Sequence, residues 1–282
     1  MKQAFLPKSR QIRVNGLELH YSDWGEGADP PVLLLHGFLG HGRMWGGFAS
    51  QLRSAYHVLA LDQRGHGFSG WSRNGAYSLD DHFLDIARFV ECLDLRDLIV
   101  VGHSMGGRNA LFFAACCPER VKGLVLVDAR PANTDESILA LKDLLAPLKK
   151  GSAFDHTLPP KGAVDVPEHL FESREGIEGG ESTEISDSPA SSGYDPLLIT
   201  GVELSGYQVE SLWPFMESLT CPTLVIRGEN STFLSREEAR RMHRLIPESE
   251  LVEIPGTSHM PMFGNPVAFN EVVVSFLNRL PV

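Results

Sequence analysis

Short apolar runs recur along the first 128 residues of this chain, and they constrain its fold more than any other feature. Four of them lie at Pro31–Leu35, His57–Leu61, Leu98–Val101 and Leu124–Val127. Runs of this length are typical of strands that are buried on both faces of a sheet. Stretches with helical spacing of apolar residues, such as Ser78–Leu93, lie between them. The alternation predicts an α/β fold with a mostly parallel sheet and helices on both faces.

Further strand patterns bring the expected sheet to eight strands. Two of them flank the turn dipeptide Asn15–Gly16, which predicts a hairpin. The other two come much later in the chain, at Thr223–Ile226 and Glu250–Ile254. The core pattern is therefore divided between the two ends of the sequence.

The middle of the chain interrupts this pattern. Residues 131–219 contain a helix-like stretch, Ser137–Leu148, followed by polar sequence rich in glycine, serine, glutamate and proline. A connection of this length far exceeds an ordinary loop. We therefore predict a core formed by residues 1–130 and 220–282, with 131–219 inserted as a helical and loop-rich cap or lid. Its least structured part is expected at 172–193, either as a lid loop or as a disordered loop.

The net charge restricts the partners that we expect for this chain, and the cysteines indicate its compartment. The formal net charge is −11, and between Asp165 and Asp195 nine acidic residues stand against Arg174 alone. Such a chain is not expected to bind nucleic acid or an anionic membrane. We see no secretory signal and no apolar run near the roughly 20 residues that span a bilayer. The four cysteines lack a disulfide spacing, so we expect reduced thiols and a cytoplasmic protein.

The strongest chemical signal is the segment Gly102–Gly106, which reads Gly-His-Ser-Met-Gly and joins an apolar strand to a helix pattern. This context is required of a nucleophile elbow, a tight strand-to-helix turn that exposes a serine hydroxyl at the edge of the sheet. Glycines on both sides remove Cβ atoms that would clash in such a turn. Ser104 is therefore the predicted nucleophile.

An oxyanion needs two converging N–H donors, and the sequence offers candidates for both. One is the backbone N–H of Met105, directly after the serine. The other is the backbone N–H of Phe38, in the loop that follows Pro31–Leu35. Gly37 would let that loop approach the substrate, and His36 is expected to hold the loop in place.

The predicted general base is His259. It follows the last strand pattern, which places it on a loop at the same edge of the sheet as Ser104. An imidazole with an ordinary pKa of about 6.5 can take and return one proton near neutral pH. None of the other histidines follows the final strand.

These features together resemble the α/β-hydrolase superfamily over essentially the whole chain. The matching residues are His36-Gly37, the stretch Asp62–Ser69, the elbow Gly102–Gly106 and Gly256–His259. The resemblance implies an aspartate shortly after the seventh strand as the third member of a Ser–acid–His triad. It also implies a structural role for Asp62, which shapes a loop after the fourth strand.

The expected place of the acid departs from this pattern, because it holds Ser231 and Thr232. Some members of the superfamily take the acid from the end of the sixth strand, and Asp128 lies there. We favour Asp128. Glu229, close to the usual place, is the second candidate, and a dyad that uses Asn230, Ser231 or Thr232 remains open.

The pattern predicts a serine hydrolase that cleaves carboxylic esters or thioesters of a small-molecule acyl substrate through an acyl-enzyme. Apolar residues near the expected site, including Trp213, Phe215 and Met260, would together line a pocket, although each of them taken singly fits the core better. The alternatives are a carbon–carbon or amide hydrolase, an acyltransferase, or a weakly catalytic ligand-binding protein.

No cofactor or metal is expected. The histidines and cysteines show no metal-ligand spacing. The stretch Gly65–Gly70 matches the letters of a dinucleotide fingerprint, but the sequence after it reads as a loop and offers no helix N-terminus for a pyrophosphate.

Overall fold

A computed structural model of the chain describes residues 6–25, 30–133, 193–199 and 211–281. Within these residues lies an eight-stranded sheet. Its strands are β1 Lys8–Val14, β2 Leu17–Asp23, β3 Pro31–Leu35, β4 His57–Leu61, β5 Leu98–His103, β6 Val121–Val127, β7 Thr223–Gly228 and β8 Ser249–Ile254. Their order across the sheet is β1-β2-β4-β3-β5-β6-β7-β8.

The sheet is mostly parallel, as the sequence predicts. Only β1 with β2 and β2 with β4 pair in antiparallel fashion. The first of these pairs is a hairpin around Asn15–Gly16, and both turn residues have positive φ angles, 47° and 81°. Asparagine followed by glycine suits a turn that needs two such residues, because neither is strongly disfavoured there.

Helices and helical turns connect the strands. The α-helices whose two ends both lie within the described residues are α1 Gly46–Leu52, α2 Leu79–Cys92, α3 Met105–Cys116, α4 Arg236–Leu245, α5 Pro261–Gly264 and α6 Pro266–Leu277. The 3₁₀ turns are Gly42–Trp45, Pro118–Arg120 and Trp213–Ser218. Both α2 and α4 begin with a capping box, formed by Ser78 with Asp81 and by Ser235 with Glu238. Such reciprocal bonds satisfy N–H groups that the first turn of a helix leaves open.

The two faces of the sheet carry separate cores. On one face, α2, α3 and α4 pack around residues such as Phe89, Phe113 and Met242. On the other face, α1 and α6 pack around Trp45 and Phe269, among others. Each β-strand in the middle of the sheet is apolar on both faces because each face is covered, which confirms the predicted architecture.

Six parallel strands, β3 to β8, end at one edge of the sheet, and the loops after five of them hold the predicted site residues. β3, β5, β6, β7 and β8 run in the same direction, so the loops that follow them share that edge. These loops hold Phe38, Ser104, Asp128, Glu229 and His259. The edge is therefore where the predicted site must form.

The predicted cap at 131–219 falls largely outside the described residues, which leave out 134–192 and 200–210. The division into core and cap, and the expected loop at 172–193, therefore stay predictions. Within the part of the chain that is described, no helix combines the length and the apolar character needed to cross a membrane.

Candidate active site

Ser104 occupies the sharp turn between β5 and α3. Its φ and ψ angles are 51° and −114°, which a residue with a side chain rarely adopts. A Cβ atom at Gly102 would collide with the carbonyl of Gly106, and one at Gly106 would collide with the carbonyl of Leu35. The flanking glycines are thus required by the close approach of backbone atoms, as the sequence predicts, and the turn holds the serine in a strained conformation.

A chain of hydrogen bonds joins Ser104, His259 and Asp128. The Ser104 hydroxyl donates to Nε2 of His259 at 3.1 Å, and Nδ1 of His259 donates to Oδ2 of Asp128 at 2.8 Å. A carboxylate can only accept, so the proton of the neutral imidazole lies on Nδ1 and leaves Nε2 free to accept from the serine. Asp128 is 1% exposed, whereas Ser104 and His259 are half-buried. The serine hydroxyl therefore faces a base that is already in the required tautomer.

The other acid considered from sequence, Glu229, lies elsewhere. Its Oε2 atom accepts the backbone N–H of Gly256 at 2.8 Å, on the exposed turn after β8. Of the remaining candidates, Asn230 donates its backbone N–H to Thr257, and Thr232 is exposed. Ser231 does reach the site, where its hydroxyl donates to Oδ2 of Asp128 at 2.6 Å. The geometry thus brings Asp128, and not Glu229, to the imidazole.

The loop that carries Phe38 lies against the elbow. A Cβ atom on Gly37 would stand 2.6 Å from Nδ1 of His103 and 3.3 Å from Cβ of Ser104, so only glycine fits without displacement. Leu39 has a positive φ angle of 59° and donates its N–H to Nε2 of His66 at 3.2 Å. Met105 is the first residue of α3, and a helix supplies no acceptor for the N–H of its first residue. The assignment of the Phe38 and Met105 amides to an oxyanion stays a prediction.

Neutral imidazoles hold this loop. His36 donates from Nδ1 to the carbonyl of Gly37 at 2.8 Å and accepts the N–H of Gln63 at Nε2 at 3.0 Å. His66 donates from Nδ1 to the carbonyl of Arg64 at 2.9 Å while it accepts from Leu39. Each ring must stay unprotonated on one nitrogen to accept its bond.

Burial favours this neutral state. Desolvation lowers the pKa of His36 to about 3 and that of His66 to about 4. Burial also lowers the pKa of His82 and His103 well below the ordinary value. We call these four residues the buried histidines.

Asp62 has the structural role that the sequence predicts. It accepts the backbone N–H groups of Gly42 at 2.6 Å and Phe68 at 2.9 Å and the Nδ1–H of His20 at 2.8 Å. Burial alone would raise the pKa of Asp62, but the hydrogen bond and charge of His20 outweigh it, and the pKa is lowered. The carboxylate thereby holds the loop after β4.

A second chain of serine, histidine and aspartate was not expected from the sequence. The Ser9 hydroxyl hydrogen bonds to Nε2 of His20 at 2.8 Å, and His20 in turn contacts Asp62. Ser9 is exposed within the extended edge strand β1, so it has neither the sharp turn nor the helix N-terminus that accompany Ser104. Only the pairing of β1 with β2 brings Ser9 close to His20, so no sequence motif announces it.

Two aromatic rings contact His259, and neither was singled out from sequence. Phe233 stacks on the imidazole, with ring centroids 3.9 Å apart and planes inclined by 17°. The ring of His103 lies 4.7 Å away, and its Nε2 donates to the carbonyl of His259 at 2.8 Å. Phe233 lies in an irregular loop, where no periodic pattern could have indicated its position.

The three expected pocket residues pack against the cores. Phe215 contacts Phe112 of α3 edge to face at 5.1 Å, and the guanidinium of Arg241 lies 4.0 Å above the ring of Trp213. Met260 is 8% exposed and belongs to the core on the other face of the sheet. These are contacts of core side chains, and a substrate-binding role for the three residues stays a prediction.

Metal and cofactor motifs find no match in the described residues. No group of three or more histidine, cysteine, aspartate or glutamate side chains within them is placed to hold a metal ion. The stretch Gly65–Gly70 forms a turn and is followed by a loop up to Ser78, as expected, so it does not open a helix.

A mostly parallel eight-stranded sheet with a serine elbow after its fifth strand defines the structural class of the α/β hydrolases. Residues 32–272 match the model of the Alpha/beta hydrolase family, and the chain belongs to this family.

Relatives in the family carry several hydrolase names. The chain is 26% identical to 2-(acetamidomethylene)succinate hydrolase of Mesorhizobium japonicum, over 96% of this chain and 95% of that protein. It is 26% identical to an sn-1-specific diacylglycerol lipase of Mus musculus, over 90% of this chain and 82% of the relative. Among solved structures, a thermophilic esterase from Thermogutta terrifontis superposes with a TM-score of 0.74 at 26% identity, covering 96% of this chain and 98% of that one.

Proposed function

We propose that this protein is a serine hydrolase that cleaves carboxylic esters or thioesters of small acyl substrates through an acyl-enzyme. The observation that supports the proposal is the hydrogen-bonded chain from Ser104 through His259 to Asp128. A serine hydroxyl is a weak nucleophile by itself, and a neighbouring imidazole of the correct tautomer activates it.

In the first half of the reaction, Nε2 of His259 removes the proton of Ser104 while Oγ attacks the carbonyl carbon. The carbonyl oxygen becomes an oxyanion, which the N–H groups of Phe38 and Met105 stabilise. The imidazolium that forms is stabilised by the carboxylate of Asp128. His259 then gives its proton to the departing alcohol or thiol, and the acyl group remains on Ser104.

In the second half, a water molecule replaces the leaving group. His259 takes a proton from the water as its oxygen attacks the acyl carbon. The bond to Ser104 breaks, and Oγ recovers its proton from His259. The carboxylic acid is released and the site returns to its starting state, with no redox change and no added cofactor in these steps.

The similar proteins support hydrolysis as the reaction. Their names include a succinate-derivative hydrolase, a lipase and an esterase. The lipase and the esterase are each 26% identical to this chain. An ester assay is therefore the appropriate first test, with thioester and anilide substrates of the same acyl group beside it.

The test combines turnover with covalent labelling. A fluorophosphonate should react with Ser104, forming an Oγ–phosphorus bond as fluoride leaves and His259 takes the proton. Ser104→Ala should lose both labelling and the hydrolysis of p-nitrophenyl esters. Ser9→Ala is the matched control, because Ser9 also hydrogen bonds to a histidine, and it should retain both. Full activity in Ser104→Ala, or label mapped to Ser9 by mass spectrometry, would remove the proposal.

A further inference from the structure

The loop after β7, residues 229–235, is fastened to Asp128 by a single hydroxyl. Ser231 Oγ donates to Oδ2 of Asp128 at 2.6 Å. The same oxygen accepts the backbone N–H of Phe233 at 3.1 Å and that of Leu234 at 3.3 Å. Ser231 is 7% exposed, so water does not readily compete for these bonds. One side chain thus ties the turn of this loop to the carboxylate.

The carboxylate of Asp128 is held on both of its oxygens. Oδ1 accepts the backbone N–H of Gly228 at 3.1 Å, while Oδ2 accepts from Ser231 and from His259. A Cβ atom at Gly228 would collide with the carbonyl of Ser258, so glycine is needed where β7 delivers its donor. Donors on both oxygens fix the plane of the carboxylate and thereby the direction in which Oδ2 faces Nδ1 of His259.

The same loop also contacts the base. Phe233 lies two residues after Ser231, and its ring is nearly parallel to that of His259 at a centroid distance of 3.9 Å. The face of an aromatic ring carries partial negative charge and attracts a cation placed over it. The stack therefore favours the imidazolium that forms when His259 accepts the proton of Ser104.

We propose that Ser231 and Phe233 are positioning residues of the reaction: Ser231 orients the carboxylate of Asp128, and Phe233 holds the imidazole of His259 and stabilises its protonated form. This inference rests on the proposed function. At the position where the superfamily pattern has an acid, this chain has Ser231. Its hydroxyl donates to Asp128, the acid that follows the neighbouring strand β6.

The first experiment removes the hydroxyl of Ser231. Ser231→Ala should slow fluorophosphonate labelling of Ser104 and lower kcat for a p-nitrophenyl ester about tenfold, with KM little changed, because a hydrogen bond to a charged group is lost. Thr232→Ala is the matched control, since it removes an exposed hydroxyl from the same loop, and it should match the wild type. Ser231→Thr keeps a donor and should recover most of the rate.

The second experiment removes the aromatic face. Phe233→Leu retains apolar bulk, and the acidic limb of its labelling-rate profile against pH should move about half a pH unit lower, because the imidazolium loses a favourable contact. Phe233→Tyr should keep the wild-type profile. A loss of stability cannot imitate this shift, because the fold weakens as the pH falls and unfolding at low pH would move the acidic limb higher instead of lower.

The outcomes separate this inference from the proposed function. A wild-type labelling rate in Ser231→Ala together with an unmoved profile in Phe233→Leu overturns the positioning roles, while Ser104 stays the nucleophile. Failure of the wild-type protein to react at Ser104 overturns the proposed function and the positioning roles with it. Both readouts use the fluorophosphonate, so neither requires the natural substrate.

Discussion

Replacing Asp128 by asparagine changes one atom of the buried carboxylate and tests its role directly. The amide oxygen must face the N–H of Gly228, because a backbone N–H can only donate, whereas the Ser231 hydroxyl at the Oδ2 position can rotate and accept. The amide NH₂ therefore takes the place of Oδ2 and donates to Nδ1 of His259. The imidazole proton then lies on Nε2, which can no longer accept from Ser104.

We expect this wrong tautomer to lower kcat about 10⁴-fold, which corresponds to about 5.4 kcal/mol of lost transition-state stabilisation. The assay is steady-state hydrolysis of a p-nitrophenyl ester at pH 7, with the thermal unfolding curve recorded to show that the variant is folded. The magnitude is large because the carboxylate is buried: Asp128 is 1% exposed, so bulk water does not replace the missing acceptor.

Glu229→Gln is the matched control for this experiment, because it makes the same carboxylate-to-amide change. Glu229 is exposed, and a glutamine oxygen can still accept the N–H of Gly256. Its kcat should stay within about twofold of the wild type, as for a change at an exposed site. A loss smaller than tenfold in Asp128→Asn, or a larger loss in Glu229→Gln than in Asp128→Asn, would refute the assignment of the acid.

Three further outcomes follow from the structure. Above pH 6.5 the buried histidines are neutral in both the folded and the unfolded chain. Below pH 6.5 the unfolded chain binds protons that the folded chain does not, so the free energy of unfolding decreases as the pH is lowered. Chemical denaturation should show a loss of about 1 kcal/mol per buried histidine between pH 7 and 5.5, and a flat profile would contradict this prediction. Ser104→Gly should be about 1 kcal/mol more stable than Ser104→Ala, because glycine adopts a φ of 51° without strain; equal unfolding free energies would show that the turn is unstrained. Gly37→Ala should lower kcat about 10²-fold, because its Cβ atom displaces the loop from His103. Gly47→Ala is the control and should leave kcat unchanged, because a Cβ atom there meets nothing within 4 Å. Equal kcat values in the two variants would exclude a role for the close approach of Gly37 to the elbow.

Local sequence patterns predicted the sheet and the elbow well. The runs Pro31–Leu35 and His57–Leu61 are strands with the expected bounds, and Ser78 does begin a helix. The elbow at Ser104 was predictable because its requirements lie within a few residues: an apolar strand, glycines where backbones touch, and a helix start. Strand ends were less predictable, since β6 begins at Val121, three residues before the apolar run.

Contacts between residues far apart in the sequence determine which acid lies next to His259. Asp128 and Glu229 both follow neighbouring strands, and the sequence left both open as partners of His259. The N–H of Asp128 donates to the carbonyl of Ile226 on β7, and its φ of 46° lies in the left-handed region, which aspartate adopts more readily than most residues with a side chain. The side chain thereby meets the imidazole, whereas Glu229 meets the turn after β8.

Amino-acid order alone determined which hydroxyl is exposed at the edge of the sheet, since a tight turn depends on the sizes of its own neighbours. Tertiary structure alone determined which carboxylate reaches the imidazole, and which hydroxyl and ring contact the pair. The reason is that these contacts join β6, β7 and the loop after β8, and their distances depend on the order and register of the strands. No short segment of sequence specifies that order or register.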